Sequence, residues 1–440
     1  MKEYNFDELI DRRGTGCVKW DEEYHASPFY NSTVSQIKNA ETTPGDIIPM
    51  WVADMDFAVS PAIQEAIRRR AQHPVFGYTH VGTAYYDAII SWFRRRHQWE
   101  IKREEIIYTT GVVPAMSAAI KALTTPGEKV LILSPDYNCF FSSIRNNGCE
   151  VLESALISHP SPLTSHPSPL TSHHSPLTSH HFEIDWDDFE AKCADVKTTV
   201  FLLCNPHNPT GRVWKPEELQ RMNDICMRHG VKVVSDEIHC DLVMPGHRFQ
   251  PFAAVNEECR SNSVILNSPS KSFNIAGLMT ANIICADPTM RRRIERAINI
   301  NEVCDLNPFG PVALIAAYNE SEEWIDALCE YIWGNYLALR QFFNEQLPQC
   351  IVTELEGTYL PWIDVSAMLP MHIEVPGSQD ATIISNVQQL CDYIMGQTNV
   401  WVNPGTMYGT QTGKGFIRIN IACPREQMMQ ALRRVAKLIA

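Results

Sequence analysis

The chain has no excess of positive charge. Its 37 Lys and Arg against 51 Asp and Glu leave a net charge of −14, so it lacks the basic face that nucleic acid or an anionic membrane surface requires. It has no run of about eighteen apolar residues, which excludes a transmembrane helix. Its start, Met1-Lys2-Glu3-Tyr4-Asn5-Phe6-Asp7-Glu8, lacks the basic and then apolar stretch of a signal peptide. The 14 cysteines show no CxxC pairing and no regular spacing, which argues against a disulfide scaffold and for reduced thiols. These absences predict a soluble cytoplasmic protein with no nucleic-acid or membrane partner. At 440 residues, 45% of them hydrophobic, the chain is long enough for a large domain and a smaller one.

From residue 60 to residue 300, helical and strand patterns alternate. Pro61 to Ala71 reads as an amphipathic helix with Ser60 as N-cap and Pro61 at its first position. Ile106-Ile107-Tyr108 reads as a short strand, Gly111-Val112-Val113-Pro114 leads into a helix through Ala122, and Lys129 to Leu133 is again strand-like. Such alternation predicts an α/β fold, a mostly parallel sheet of the seven-stranded type with helices on both faces. After residue 305 come long helices (Ser321 to Leu347), short strands (Ile351 to Glu354, Phe416 to Ile421) and a last helix, Arg425 to Ile439. That texture is α+β. The expected division is an N-terminal segment, 1–50, packing with the small domain; a large domain, 51–305; and a small C-terminal domain, 306–440.

One segment breaks the pattern. Residues 161–181 are three copies of a seven-residue unit, Ser-Pro-Leu-Thr-Ser-His-Pro or -His. A tract so poor in bulky apolar side chains cannot offset its ordering entropy, so a flexible, dispensable surface loop outside both cores is expected. Six of the 15 histidines lie between His159 and His181. The repeat sets them seven apart rather than at the i, i+4 spacing of a helical metal site, and no metal is expected.

Three apolar runs end in chemically useful groups. Val264-Ile265-Leu266 is followed by Ser268-Pro269-Ser270-Lys271; Val231-Lys232-Val233-Val234-Ser235 ends in Asp236; and Val200-Phe201-Leu202-Leu203-Cys204 runs into Asn205-Pro206-His207-Asn208-Pro209-Thr210-Gly211. In an open α/β sheet ligands bind outside the carboxyl ends of the strands, so an amine, a carboxylate and an amide would share one edge. A lysine there, with an aspartate for a pyridinium nitrogen, is how a protein holds pyridoxal phosphate.

Each group has a task in that chemistry. A lysine that forms an imine must lose its proton near neutral pH, which desolvation arranges; Lys271 is the candidate. Asp236 would keep the pyridine nitrogen protonated and Asn208 would donate to the phenolic oxygen. His239 could approach the same oxygen or be a satisfied core histidine. For the phosphate, Gly111, Val112 and Val113 offer backbone N–H groups at a strand-to-helix junction, and Ser268 and Ser270 offer hydroxyls. Tyr137, after the strand 129–133, could stack on the ring or simply pack. A substrate carboxylate calls for arginine's planar fork. Arg418 sits inside the otherwise apolar Gly415-Phe416-Ile417-Arg418-Ile419-Asn420, where a charge needs a partner or a cleft, although the alternation Phe416, Arg418, Asn420 also permits a surface-facing position.

On these residues the chain resembles the fold-type I pyridoxal-phosphate enzymes, aspartate-aminotransferase-like, and within them the MalY/PatB group of carbon-sulfur lyases. The likeness begins at Lys19-Trp20-Asp21, Pro49-Met50-Trp51-Val52-Ala53-Asp54-Met55-Asp56-Phe57 and Phe76-Gly77-Tyr78-Thr79. It continues through Gly111 to Pro114, Asn205 to Gly211, Ser235 to His239, Ser270 to Leu278 and Arg418 to Ala422. The resemblance implies a homodimer with shared active sites, in which Tyr78 reaches the partner's cofactor phosphate. It implies β-elimination on sulfur-containing L-amino acids such as L-cystathionine or L-cysteine, giving a thiol, pyruvate and ammonia. The alternatives are an aminotransferase, or a protein of this fold with a regulatory binding role. Two features depart from the pattern: the repeat, and Met279, eight residues after Lys271, where aminotransferases often carry a phosphate-binding arginine.

Overall fold

The apolar runs become the middle of one sheet. The computed structural model describes residues 4–21, 47–162, 178–300, 305–373 and 382–439. Among these, eight strands lie side by side in the order Ile106–Thr109, Ala281–Ile284, Ser263–Asn267, Lys232–Asp236, Thr198–Cys204, Lys129–Ser134, Glu150–Pro162, Thr178–Ile184. The strands from Ser263–Asn267 to Glu150–Pro162 are parallel, and those at the two edges are antiparallel. This is the mostly parallel α/β fold that the alternation predicts, with eight strands rather than seven because Thr178–Ile184 adds an antiparallel edge. Helices cover both faces, so alternate residues of one strand enter different cores: Phe201, Leu203, Val233 and Ile265 one, Val200, Leu202, Val234 and Val264 the other. Burial on both sides is why these strands read as continuous hydrophobic runs.

The later residues build a smaller antiparallel sheet, ordered Ile351–Val352, Trp362–Asp364, Phe416–Arg418, Asn403–Pro404. It packs with the helices Glu322–Gln346 and Arg425–Ile439. Near the N-terminus, Ile48–Pro49 pairs with Val400–Trp401. Among the described residues no helix is long and apolar enough to cross a membrane.

Two expectations need correction. Pro61–Ala71 is a helix with Ser60 at its N-cap and Pro61 in its first turn, as expected, except that the Ser60 side chain makes no cap bond; its hydroxyl accepts instead from Ser321, 2.8 Å away. The loop expected over 161–181 is also too wide. Glu150–Pro162 and Thr178–Ile184 form a hairpin, in which Ser179 is buried and donates to the Val352 carbonyl at 3.1 Å. His180 bridges Ser158 at 2.8 Å and Asp364 at 2.9 Å. The repeat's last residues are thus ordered by partners on the small sheet, which composition alone does not reveal. Residues 163–177 lie outside the described residues.

Candidate active site

Register brings the three strand ends level. Cys204 pairs with Asp236, and Asp236 with Leu266; the chain then crosses over each neighbour, Asn205 N–H to the Asp236 carbonyl at 2.9 Å and Glu237 N–H to that of Leu266 at 2.8 Å. After the third strand, the Ser268 side chain accepts from Ser270 N–H at 3.0 Å, starting the one-turn helix Pro269–Ser272 that carries Lys271. The Ser268 hydroxyl itself donates to the Thr280 carbonyl at 2.7 Å. Gly111 precedes the helix Val112–Leu123, and Tyr137 the helix Asn138–Asn146.

These elements enclose a cavity of about 190 Å³. Lys271, Asp236, Asn208, His239 and Tyr137 line it, together with Gly111, Val112, Val113, Ser268 and Ser270. Met279 lines it as well. Arg418 adjoins this group from the small sheet, where it pairs with Trp362 on one side and Asn403 on the other. It is 4% exposed, so the buried option of the strand alternation holds. Its Nη1 donates to Asn208 Oδ1 at 3.1 Å, its Nη2 to the Trp51 carbonyl at 2.8 Å, and its plane lies 4.6 Å over the Tyr408 ring. Among the described residues these partners are all neutral, and Nε has none. Tyr78 is the exception to the gathering: it is 96% exposed and outside the cavity lining.

Burial sets the protonation states. It lowers the Lys271 pKa, with Arg418 acting the same way and Asp54 opposing. It raises Asp236 to about 7 against the pull of Ile238 N–H and the Lys271 charge. It lowers His239 to about 3, so the imidazole is neutral, and its Nδ1 is buried without a partner. The site therefore offers an amine that is easily deprotonated, a carboxyl group able to hold or release a proton, and a guanidinium with spare donor capacity.

Much of the support comes from one irregular segment. From Trp51 to Phe57 the backbone is in neither helix nor strand, and buried carbonyls there need donors. Side chains supply them: Arg418 and Asn403 to Trp51, Asn420 to Val52 and Asp54, Lys271 and Tyr359 to Ala53, Arg12 to Met55, and Asn274 to Met55 and Phe57. The segment is anchored by Asp56, which meets Lys19 at 2.9 Å, Arg12 at 2.7 Å and Trp20 at 2.8 Å. The sequence marks Trp51 to Phe57, Ala53 among them, as a motif without a task, and Tyr359 and Tyr408 carry no sequence signal. Two His-containing acidic clusters also occur. In His181–Glu354–Glu356, Arg212 already pairs with Glu356 at 3.3 Å; in His97–Cys240–Asp241, His97 already bonds Asp241 at 2.8 Å.

Residues 46–435 match the model of the aminotransferase class I and II family. The chain belongs to this family. Among class I and II aminotransferase relatives it is 35% identical to the cystathionine beta-lyase PatB of Bacillus subtilis, over 98% of each chain. It is 31% identical to protein MalY of Escherichia coli, over 97% of this chain and 96% of that one. The crystal structure of a pyridoxal-phosphate-bound C-S lyase from Staphylococcus hominis, complexed with L-cycloserine, superposes with a TM-score of 0.83. It shares 31% identity and covers 100% of this chain and 99% of that one.

Proposed function

We propose that this protein is a pyridoxal-phosphate-dependent carbon-sulfur β-lyase acting on sulfur-containing L-amino acids of the cystathionine or cysteine type. The observation that carries the reading is that the Lys271 amine and the Asp236 carboxyl group line one cavity, with the buried, incompletely partnered Arg418 adjoining it through Asn208. The cofactor fits what is there. The unpartnered His239 Nδ1 and the remaining Asn208 amide donor suit a phenolic oxygen, and Asp236 suits a ring nitrogen. Tyr137 offers an aromatic face. The first turn of Val112–Leu123, with the Ser270 hydroxyl, suits a phosphate. Ser268 serves by holding the lysine turn, since its proton is committed to Thr280.

When bound, pyridoxal phosphate supplies an electron sink for negative charge at the substrate α-carbon. The chain does the rest. Arg418 holds the substrate carboxylate with its fork. Lys271, whose pKa burial lowers, would remove the α-proton as general base. Asp236 would hold the ring nitrogen in its cationic form. The bond from Cβ to sulfur breaks, the thiolate leaves, and the remaining three-carbon fragment hydrolyses to pyruvate and ammonia. PatB, named as a cystathionine beta-lyase, and the S. hominis C-S lyase support this outcome.

The same reading divides the chain into a large unit, 51–305, and a small one, 306–440, with 1–50 packed against the latter. It also makes the protein a homodimer. Val75, Phe76 and Tyr78 are exposed by 62%, 54% and 96%, an apolar run that a second copy would cover while Tyr78 reaches the partner's phosphate site. Cysteines free of disulfides among the described residues support a reducing cytoplasm.

The test is to offer L-cystathionine and L-cysteine with and without a 2-oxo acid. Pyruvate and ammonia form without one if the reading holds. Strict dependence on the oxo acid would make the protein an aminotransferase instead.

A further inference from the structure

The Ala53 carbonyl oxygen accepts two hydrogen bonds, one from the Lys271 amine at 2.6 Å and one from the Tyr359 hydroxyl at 3.0 Å. Nothing in the chemistry above uses Tyr359, yet the chain goes to unusual lengths to aim it. Thr358, a β-branched residue, is held at φ +71°, a conformation such residues rarely adopt and one that collects at functional sites. Its N–H is tied to the Leu242 carbonyl at 2.8 Å, and the Tyr359 carbonyl to Ile421 N–H at 3.0 Å. Gly357, just before, packs so closely that a Cβ would lie 2.9 Å from both Pro206 and Val213. The Tyr359 side chain is fully buried and stands edge-on to His239, with ring centroids 6.0 Å apart.

We propose that Tyr359 is a positioning residue that lets Lys271 leave the Ala53 carbonyl and commit its nitrogen to the cofactor. The reason lies in hydrogen-bond pairing. Ala53 is partly buried and lines the cavity, so a cofactor filling the cavity would shut water away from its oxygen; a carbonyl then left without a donor is costly, whereas one that loses the second of two donors is not. While Lys271 is a free amine, it and Tyr359 share the oxygen. Once the lysine nitrogen is committed to the cofactor it can no longer serve Ala53 in the same way, and Tyr359 keeps that oxygen satisfied. Each time the amine is released in a turnover, it finds the carbonyl still held in the same place. Burial raises the Tyr359 pKa, so the group is a donor throughout the neutral range.

This inference rests on Lys271 being the cofactor-bearing amine, and it makes a prediction that ordinary structural damage does not. In Tyr359→Phe the free-amine form keeps Lys271 on Ala53, but the cofactor-bound form leaves that oxygen unpaired. Thermal midpoints of the full chain are measured over a range of added pyridoxal phosphate, together with the visible band that reports lysine-bound cofactor. The expected result is that Tyr359→Phe melts with the wild type at the lowest cofactor concentration and falls progressively behind as cofactor is added. Cofactor affinity is weaker by on the order of tenfold, the size of effect an unpaired buried acceptor produces. Tyr336→Phe is the comparison, because Tyr336 also donates to a main-chain carbonyl, that of Thr353 at 2.8 Å, but has no link to Lys271. It should lose the same amount at every cofactor concentration. If Tyr359→Phe behaves like Tyr336→Phe, or binds cofactor as the wild type does, the inference is overturned. If the wild type shows no visible band that depends on Lys271, it is the reading of the cofactor site that fails.

Discussion

Arg418 and Asn208 join the two sheets: Nη1 of the arginine, on the small sheet, donates to the side-chain oxygen of the asparagine beyond the end of a large-sheet strand, at 3.1 Å. The contact orients both groups and uses the oxygen of Asn208 rather than its N–H. Asn208 therefore lines the cavity with its amide donor remaining, and Arg418 stands behind it with donor capacity to spare. A ligand that touched both would be gripped between the sheets.

Replacing Arg418 with lysine keeps the charge and loses the planar fork. Arg418→Lys is expected to raise KM for the amino acid by about tenfold or more, since one bidentate contact is worth roughly that, while the visible band of bound cofactor persists. Steady-state kinetics with L-cystathionine, alongside a spectrum, checks both halves. An unchanged KM would remove Arg418 from carboxylate recognition.

Lys271→Ala is expected to abolish the visible absorbance of lysine-bound cofactor and nearly all turnover, because the cavity lining holds no second lysine. A spectrum identical to that of the wild type would refute the assignment.

Asp236→Ala is expected to bind cofactor weakly and to turn over far more slowly, an unprotonated pyridine being a poorer electron sink. Equilibrium titration with pyridoxal phosphate and kcat at saturating cofactor measure the two effects. Near-normal values for both would take Asp236 out of the site.

Lys271, Asp236 and Asn208 were legible because parallel strands buried on both faces leave continuous apolar runs, and the residues just past each run must lie at the binding edge. Arg418 was only half legible: alternation allowed it either face, and its burial against Asn208, Trp51 and Tyr408 decided between them. The segment from Trp51 to Phe57 was legible as a motif but not as a mechanism. Its partners stand far off in sequence, Lys271 by 218 residues and Tyr359 by 306 from Ala53, and they meet a main-chain carbonyl, which leaves no side-chain pattern. The repeat misled at its end for a related reason. Ser179 and His180 are ordered by Val352 and Asp364, which local composition cannot register.

The anchor of that segment is open to test. Lys19 and Asp56 are both buried and face each other at 2.9 Å. Burial works against the carboxylate, but Lys19, Trp20 and Arg12 together hold the Asp56 pKa below its ordinary value. Among the described residues, Asp56→Asn leaves Lys19 with Asp54 as its one carboxylate partner, 3.8 Å away, and breaking a buried pair from one side costs about 3–5 kcal/mol. A urea denaturation midpoint within error of the wild type would show that the cluster contributes nothing to stability.

The hairpin is open to a pH test, and Asp364 sets its sign. Burial raises this carboxyl group, but hydrogen bonds from His180 and Ser366 overcome that and hold its pKa below the ordinary 3.8. A carboxylate lowered on folding stabilises the protein above its unfolded value, and that contribution disappears as pH falls through the folded one. His180→Ala removes the bond to Asp364, so the variant should be less stable by about 1.5–3 kcal/mol at neutral pH, the worth of a hydrogen bond to a charged group. The gap should narrow as the solution is acidified below pH 4. Deleting residues 163–176, two units of the repeat, spares Ser179, His180 and His181 and should leave both midpoint and turnover near those of the full chain. Thermal melts of the two variants across pH separate the contributions. If the deletion costs as much as His180→Ala, the repeat itself is part of the packed structure.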